Sequence, residues 1–292
     1  MARLKRWWVG SSLLGGILLA SAAQSASLLP LRTAEGYVTE AEVHDPAAPP
    51  RATVILLHGK GGKPQGKIYV ELASRLAEAG CRVVVPRMPW SRWDAPFESL
   101  RGVVDAAIAT SPTDGKPLAL VGHSLGGAAA LHYGAGTVHP AVTALATLAP
   151  GHFPHSATKL RQHTEGSVQR ARVMAAEGRG EESAEFTEVN TGVIRPITMT
   201  AATYRSYYDP EIHPEVMKEL PRIRLPLLWI GGEQDDLTRS MDYAGAFARL
   251  QAADSPAKIW NRLLILPETH TSVVPQSASA LLEWFDALPG AP

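Results

Sequence analysis

The chain has 292 residues, 45% hydrophobic and 19% charged, with 28 basic and 28 acidic side chains. That neutrality, with no basic cluster beyond the amino terminus, speaks against nucleic-acid binding. A single cysteine, Cys81, excludes an internal disulfide, a cysteine zinc cluster and a dithiol redox pair. Cys81 opens the apolar run CRVVV and reads as a buried structural thiol.

Residues 1–26 order themselves as a secretory leader: Arg3, Lys5 and Arg6, an apolar stretch from Trp7 to Ala20, then the small residues SAAQSAS. Cleavage fits after Ala23 or after Ala26, giving a secreted or periplasmic chain with no stable membrane insertion. The competing reading is a membrane anchor left uncleaved. At about 17 residues, Trp7–Ala23 only reaches the lower limit for a span, and its serines and glycines weaken it.

Tyr37 to Val43 alternates as an early edge strand would, before the breaker DPAAPPR. A rhythm follows. Thr53–His58 is a buried strand, with a helix over Ile68–Ala79; CRVVVP is the next strand, with a helix over Phe97–Ala109. Leu118–Val121 leads into a helix over Leu125–Tyr133, and VTALATLAP is another strand. After Pro150 the rhythm fails for roughly seventy residues: 151–221 is polar, rich in histidine, and helical in parts (SVQRARVMAAEG and PEVMKEL). The sheet resumes with Pro226–Gly232, a helix over Met241–Ala252, the strand NRLLILP and a helix over Ala278–Leu288. Apolar runs alternating with helices predict an α/β domain over 27–292, a mostly parallel sheet covered on both faces. Residues 151–221 then form a lid or cap insertion over the sheet's carboxyl edge, the alternative being helices packed at its side.

In LVGHSLGG, Ser124 stands where a strand turns sharply into a helix, bracketed by Gly122 and Gly126. Such a turn brings backbones together, so a side chain at either flank would clash. A serine hydroxyl is a weak nucleophile at neutral pH and needs a base oriented by a third group. Later strand ends supply both: LLWIGGEQDD offers Asp235 and Asp236, and LLILPETH offers His270. Carboxyl ends of parallel strands converge on one edge, where open α/β sheets bind ligands.

The Gly-x-Ser-x-Gly form of 122–126, the order Ser, Asp, His, and the His-Gly turn of LLHGKGG together resemble the α/β-hydrolase fold of serine hydrolases, esterase- or lipase-like, from about Thr53 to Leu288. The resemblance implies Ser124 as nucleophile, His270 as base and then acid, and Asp235 as the acid behind the histidine, three residues after Gly232. Asp236 is the reserve and otherwise a helix N-cap before LTRSM. It also implies an oxyanion hole from the backbone N–H groups of Lys60 and Leu125, with the Lys60 side chain solvated. The implied reaction is hydrolysis of a small-molecule carboxylic ester of short to medium acyl length, with no cofactor and no metal. A peptidase, thioesterase or lipase on the same triad is an alternative, as is a non-catalytic binding protein; the oligomeric state stays open.

His58 and His123 adjoin the glycines of the two turns and shape them. His152, His155 and His163 match no metal-ligand spacing and read as surface or pocket-rim residues. Trp90, Trp93 and Phe97 either line an acyl or aryl pocket or pack the loop core, and YRSYYDP borders the pocket or anchors the lid.

Overall fold

The computed structural model describes residues 26–111, 115–238 and 241–288. The leader expected over 1–26 lies, except for Ala26, outside the described residues.

Five apolar runs become the buried centre of an eight-stranded sheet: β3 (Ala52–Leu57), β4 (Cys81–Pro86), β5 (Leu118–His123), β6 (Ala144–Leu148) and β9 (Leu227–Gly232). The spatial order is β1-β2-β4-β3-β5-β6-β9-β10, with β10 (Arg262–Leu266) at the far edge. From β4 to β10 all neighbours run parallel. Continuous apolar runs suit this placement, because both faces of a parallel sheet are covered by helices. On one face α2 (Leu100–Ala109), α3 (Leu125–Ala135) and α7 (Tyr243–Gln251) pack through Val103, Leu131 and Leu250. On the other, α1 (Lys67–Glu78), the short α8 (Val273–Gln276) and α9 (Ala278–Asp286) pack through Leu72, Val274 and Leu281.

The amino-terminal edge differs from the sequence reading. Tyr37–Val43 corresponds to β2 (Val38–His44), but β2 is not the edge: β1 (Ser27–Arg32) pairs outside it, antiparallel, through a turn with Gly36 at φ +87°. β1 is mostly exposed and contains Pro30, which an edge strand tolerates.

Region 151–221 holds the two expected helices, α4 (Thr158–Ala176) and α6 (Val216–Glu219), and a further one that was not expected, α5 (Ala201–Tyr208). It also holds an antiparallel hairpin, β7 (Ser183–Asn190) and β8 (Val193–Thr200), which forms its own two-stranded sheet. Thr191 and Gly192 join its strands with φ of 48° and 79°, the positive pair that a two-residue hairpin turn requires. Region 151–221 touches the loop after β3, where Asn190 donates to the Lys60 carbonyl, and its own first residues fold back on α5, where His152 bonds the Tyr207 carbonyl.

Candidate active site

Ser124 follows β5 and caps α3 with φ 54° and ψ −118°, a conformation that is costly for any residue with a side chain. Three backbone bonds hold it there: its N–H donates to Leu148 (3.0 Å), and its carbonyl accepts from Ala128 (3.0 Å) and Gly151 (3.1 Å). The flanking glycines are steric necessities. A β-carbon on Gly122 would overlap the Gly126 backbone, and one on Gly126 would overlap the Leu57 and His58 carbonyls.

Asp235 lies in the turn after β9 and His270 in the turn after β10, whose strands are paired neighbours. The two side chains meet: His270 Nδ1 is 2.8 Å from Asp235 Oδ2, with Asp235 fully buried. Asp235 Oδ1 accepts the N–H groups of Leu237 (2.9 Å) and Thr238 (3.1 Å), and Oδ2 also accepts from the Thr238 hydroxyl. Burial pushes this carboxyl up, but the bonds from His270 and Thr238 outweigh it and hold its pKa below the ordinary value. Asp235 thus makes two turn-capping bonds besides its bond to His270. No helix starts at 237; the next, α7, is capped by Asp242, whose Oδ1 accepts from Gly245 at 2.7 Å. Asp236 is exposed.

A directed chain of hydrogen bonds ties the serine elbow to the other two loops. The His270 carbonyl can only accept, so His123 Nε2, 2.8 Å away, donates to it. His123 Nδ1 is then an acceptor and takes the Tyr69 hydroxyl proton at 2.9 Å, while the Tyr69 oxygen accepts the Gly59 N–H at 2.7 Å. Burial, with His270 nearby, lowers the His123 pKa to about 3, so the imidazole stays neutral and the direction is fixed. In the loop after β3, His58 Nδ1 donates to the Gly59 carbonyl (2.8 Å) and Nε2 accepts the Met88 N–H (3.0 Å). Sequence reasoning missed Tyr69. Its signal was a tyrosine on the apolar face shared with Leu72, Ala73 and Leu76, where a buried hydroxyl demands a partner.

The two residues whose backbone N–H groups are expected to face an oxyanion lie close to Ser124. Leu125 is the first residue of α3, and a β-carbon built on Gly59, next to Lys60, would stand 3.2 Å from Ser124 Cβ. The Lys60 side chain is not solvated. Its ammonium turns inward, donates to the Val189 carbonyl and lies 5.4 Å from the Tyr208 ring centre. Burial lowers its pKa to about 8, with Glu188 opposing the shift and Arg195 adding to it.

Trp90, Trp93 and Phe97 pack as core. The Trp90 indole donates to the His58 carbonyl, Phe97 stacks on Trp90, and Trp93 meets Tyr207 edge-on. Within YRSYYDP, Tyr204 donates to Thr187, Tyr207 to Ala95, and buried Asp209 accepts from Arg172 and Arg205, so this segment anchors the insertion. His163 is exposed, and His155 bonds the His213 carbonyl. His152 is half-buried, with Nδ1 buried and a φ of 65°. Among the described residues no group of three His, Cys, Asp or Glu could hold a metal.

The family described as serine aminopeptidase, S33, an α/β-hydrolase family, matches residues 48–264, which include Ser124 and Asp235. The chain belongs to this family. As an S33-family α/β-hydrolase it shares its fold with many solved structures. One is an α/β-hydrolase from Penicillium sp. sh18, 17% identical, with a TM-score of 0.66 over 89% of this chain and 96% of that one. Another is the esterase domain of a Rhodothermus marinus protein, 18% identical, with a TM-score of 0.59 over 89% and 98%. A third is Est1E from Butyrivibrio proteoclasticus, 16% identical, with a TM-score of 0.59 over 88% and 98%. The curated proteins give no match.

Proposed function

We propose that this α/β-hydrolase is a serine hydrolase that cleaves carboxylic esters through an acyl-enzyme. The observation that carries the reading is the 2.8 Å contact of His270 with fully buried Asp235, its loop tied through His123 to the strained, glycine-bracketed elbow of Ser124. In this mechanism Ser124 attacks the ester carbonyl carbon while His270 takes its proton. His270 then returns that proton to the departing alcohol, and water repeats the sequence to release the acid. Asp235 fixes the imidazole tautomer and stabilises its cationic form. The N–H groups of Lys60 and Leu125 hold the oxyanion, each such donor being worth roughly 3 kcal/mol in comparable enzymes. The Rhodothermus marinus neighbour is named as an esterase domain, which supports an ester substrate. The family's description supports a second reading, an aminopeptidase on the same three residues.

A fluorophosphonate probe tests the mechanism: it labels the protein covalently, and Ser124→Ala abolishes both labelling and ester hydrolysis without changing the thermal midpoint. Labelling that persists in Ser124→Ala overturns the assignment. A panel of p-nitrophenyl esters beside aminoacyl p-nitroanilides separates the two readings, with turnover of short to medium acyl esters expected. Residues 1–26 act here as a leader that delivers the chain to the periplasm or medium; a cut after Ala26 leaves β1, which begins at Ser27, intact.

A further inference from the structure

Two short backbones flank Ser124. Gly59 precedes Lys60 on one side, and Gly151 precedes His152 on the other; a β-carbon built on Gly151 would stand 3.6 Å from Ser124 Oγ. The side chains of Lys60 and His152 both reach Tyr208 of α5. The ammonium lies 5.4 Å from that ring's centre, and the imidazole meets it edge-on at 5.1 Å. Glu188 of β7 joins them: it is fully buried, ion-paired with Arg195, and interacts electrostatically with both Lys60 and Tyr208. Three buried polar atoms of this cluster lack a protein partner: Tyr208 Oη, His152 Nδ1 and Glu188 Oε1. Leaving buried polar atoms unsatisfied costs free energy, and the mechanism above uses none of the three.

Their chemistry narrows what could satisfy them. The Tyr207 carbonyl can only accept, so His152 Nε2, 2.8 Å away, carries the proton and Nδ1 is an acceptor. Burial holds this imidazole well below its ordinary range, so it stays neutral, and burial raises the Tyr208 phenol, which keeps its proton. Glu188 Oε1 can only accept, and Lys60 can only donate. A carboxylate placed here would face Glu188 and the His152 lone pair. An ammonium would face Lys60. A hydroxyl satisfies both sides, accepting from Lys60 or Tyr208 and donating to His152 or Glu188.

We propose that Lys60, His152, Glu188 and Tyr208 form a subsite for a neutral, hydroxyl-bearing acyl group carried on Ser124. The inference rests on the serine-hydrolase reading. It places the acyl part here because His270, which protonates the leaving alcohol, bonds Asp235 and His123, outside the cluster.

The test compares four methyl esters by acid release at neutral pH: butyrate, 3-hydroxybutyrate, monomethyl succinate and 3-aminopropanoate. The hydroxy ester should exceed butyrate in kcat/KM by about tenfold, the scale of a net hydrogen bond, with both charged esters below butyrate. Tyr208→Phe keeps the ring contacts and should bring the hydroxy-to-butyrate ratio near one; Glu188→Gln, checked by thermal midpoint, should also reduce it. A wild-type ratio near one means that only water fills the cluster and overturns the subsite. A preference for the succinate or the amino ester overturns the neutral class. If no ester turns over, fluorophosphonate labelling separates the failures. No label at Ser124 sinks the hydrolase reading and the subsite with it. With label present, protection by each ester ranks binding, and equal protection sinks the subsite alone.

Discussion

Asp235 accepts from Leu237, Thr238 and His270 at once, so an asparagine there loses the oxygen facing His270 or presents an N–H to another donor. The imidazole would then turn to the wrong tautomer, a defect that costs about 10⁴ in kcat in a well-studied protease of the same logic. Asp235→Asn should fall by a comparable factor, and Asp236→Asn, at an exposed position, should keep most of its turnover. An inactive Asp236→Asn beside an active Asp235→Asn would place the acid one residue later. The two carboxylates were separable in sequence only through the spacing that the family resemblance supplied; the buried bonds of Asp235 give the physical reason. Ser124 was legible because its neighbours must be glycine for steric reasons that a single sequence exposes. The Lys60 side chain was not, since its acceptor, Val189, lies 129 residues further along the chain.

At the level of elements, the central strands were readable because they are apolar throughout and punctuated by glycine or proline. The hairpin was not. β7 carries Glu185 and Glu188, which blurred its alternation into a charged patch, although Thr191-Gly192 was a turn signal. Tyr69 shows what elements contribute to the site: from α1 it joins the loop after β3 to the elbow after β5, and through His123 to the loop after β10. Tyr69→Phe removes the acceptor of the Gly59 N–H and the donor to His123, leaving two buried groups unpaired at roughly 1–3 kcal/mol each. The expected result is a lower thermal midpoint and a kcat reduced about ten- to hundredfold, with KM changed little, since no substrate contact is lost. A rise in KM at unchanged kcat would show that Tyr69 binds substrate instead of positioning the loops.

Over the whole molecule, an ionic junction ties the end of region 151–221 to the helices on the sheet. His132 on α3 places Nδ1 2.6 Å from Glu219 of α6 and Nε2 3.1 Å from Glu98, in the turn Phe97–Ser99 that precedes α2. Burial lowers the His132 pKa, but the two carboxylates outweigh it, and the result is raised above 6.5. The His132 bond holds Glu98 below 4.5; burial pushes Glu219 up, yet His132 brings it below 4.5 as well. Stability from a raised histidine is complete below its unfolded value of 6.5 and is lost as pH climbs through the folded value. Stability from the lowered acids is complete above 4.5 and is lost as pH falls through theirs. The junction is therefore strongest between pH 4.5 and 6.5. Glu98 is 58% exposed and screened by water and salt, so half-buried Glu219 carries most of the effect. His132→Gln should lower the thermal midpoint most within that window, and the deficit against wild type should shrink as pH climbs through the raised histidine value. Taking the difference at each pH cancels the titration of every group outside the junction, Lys60 included. A deficit that stays constant from pH 4.5 to alkaline conditions would mean that His132 acts by packing against Phe97 alone, with the ion pairs contributing nothing.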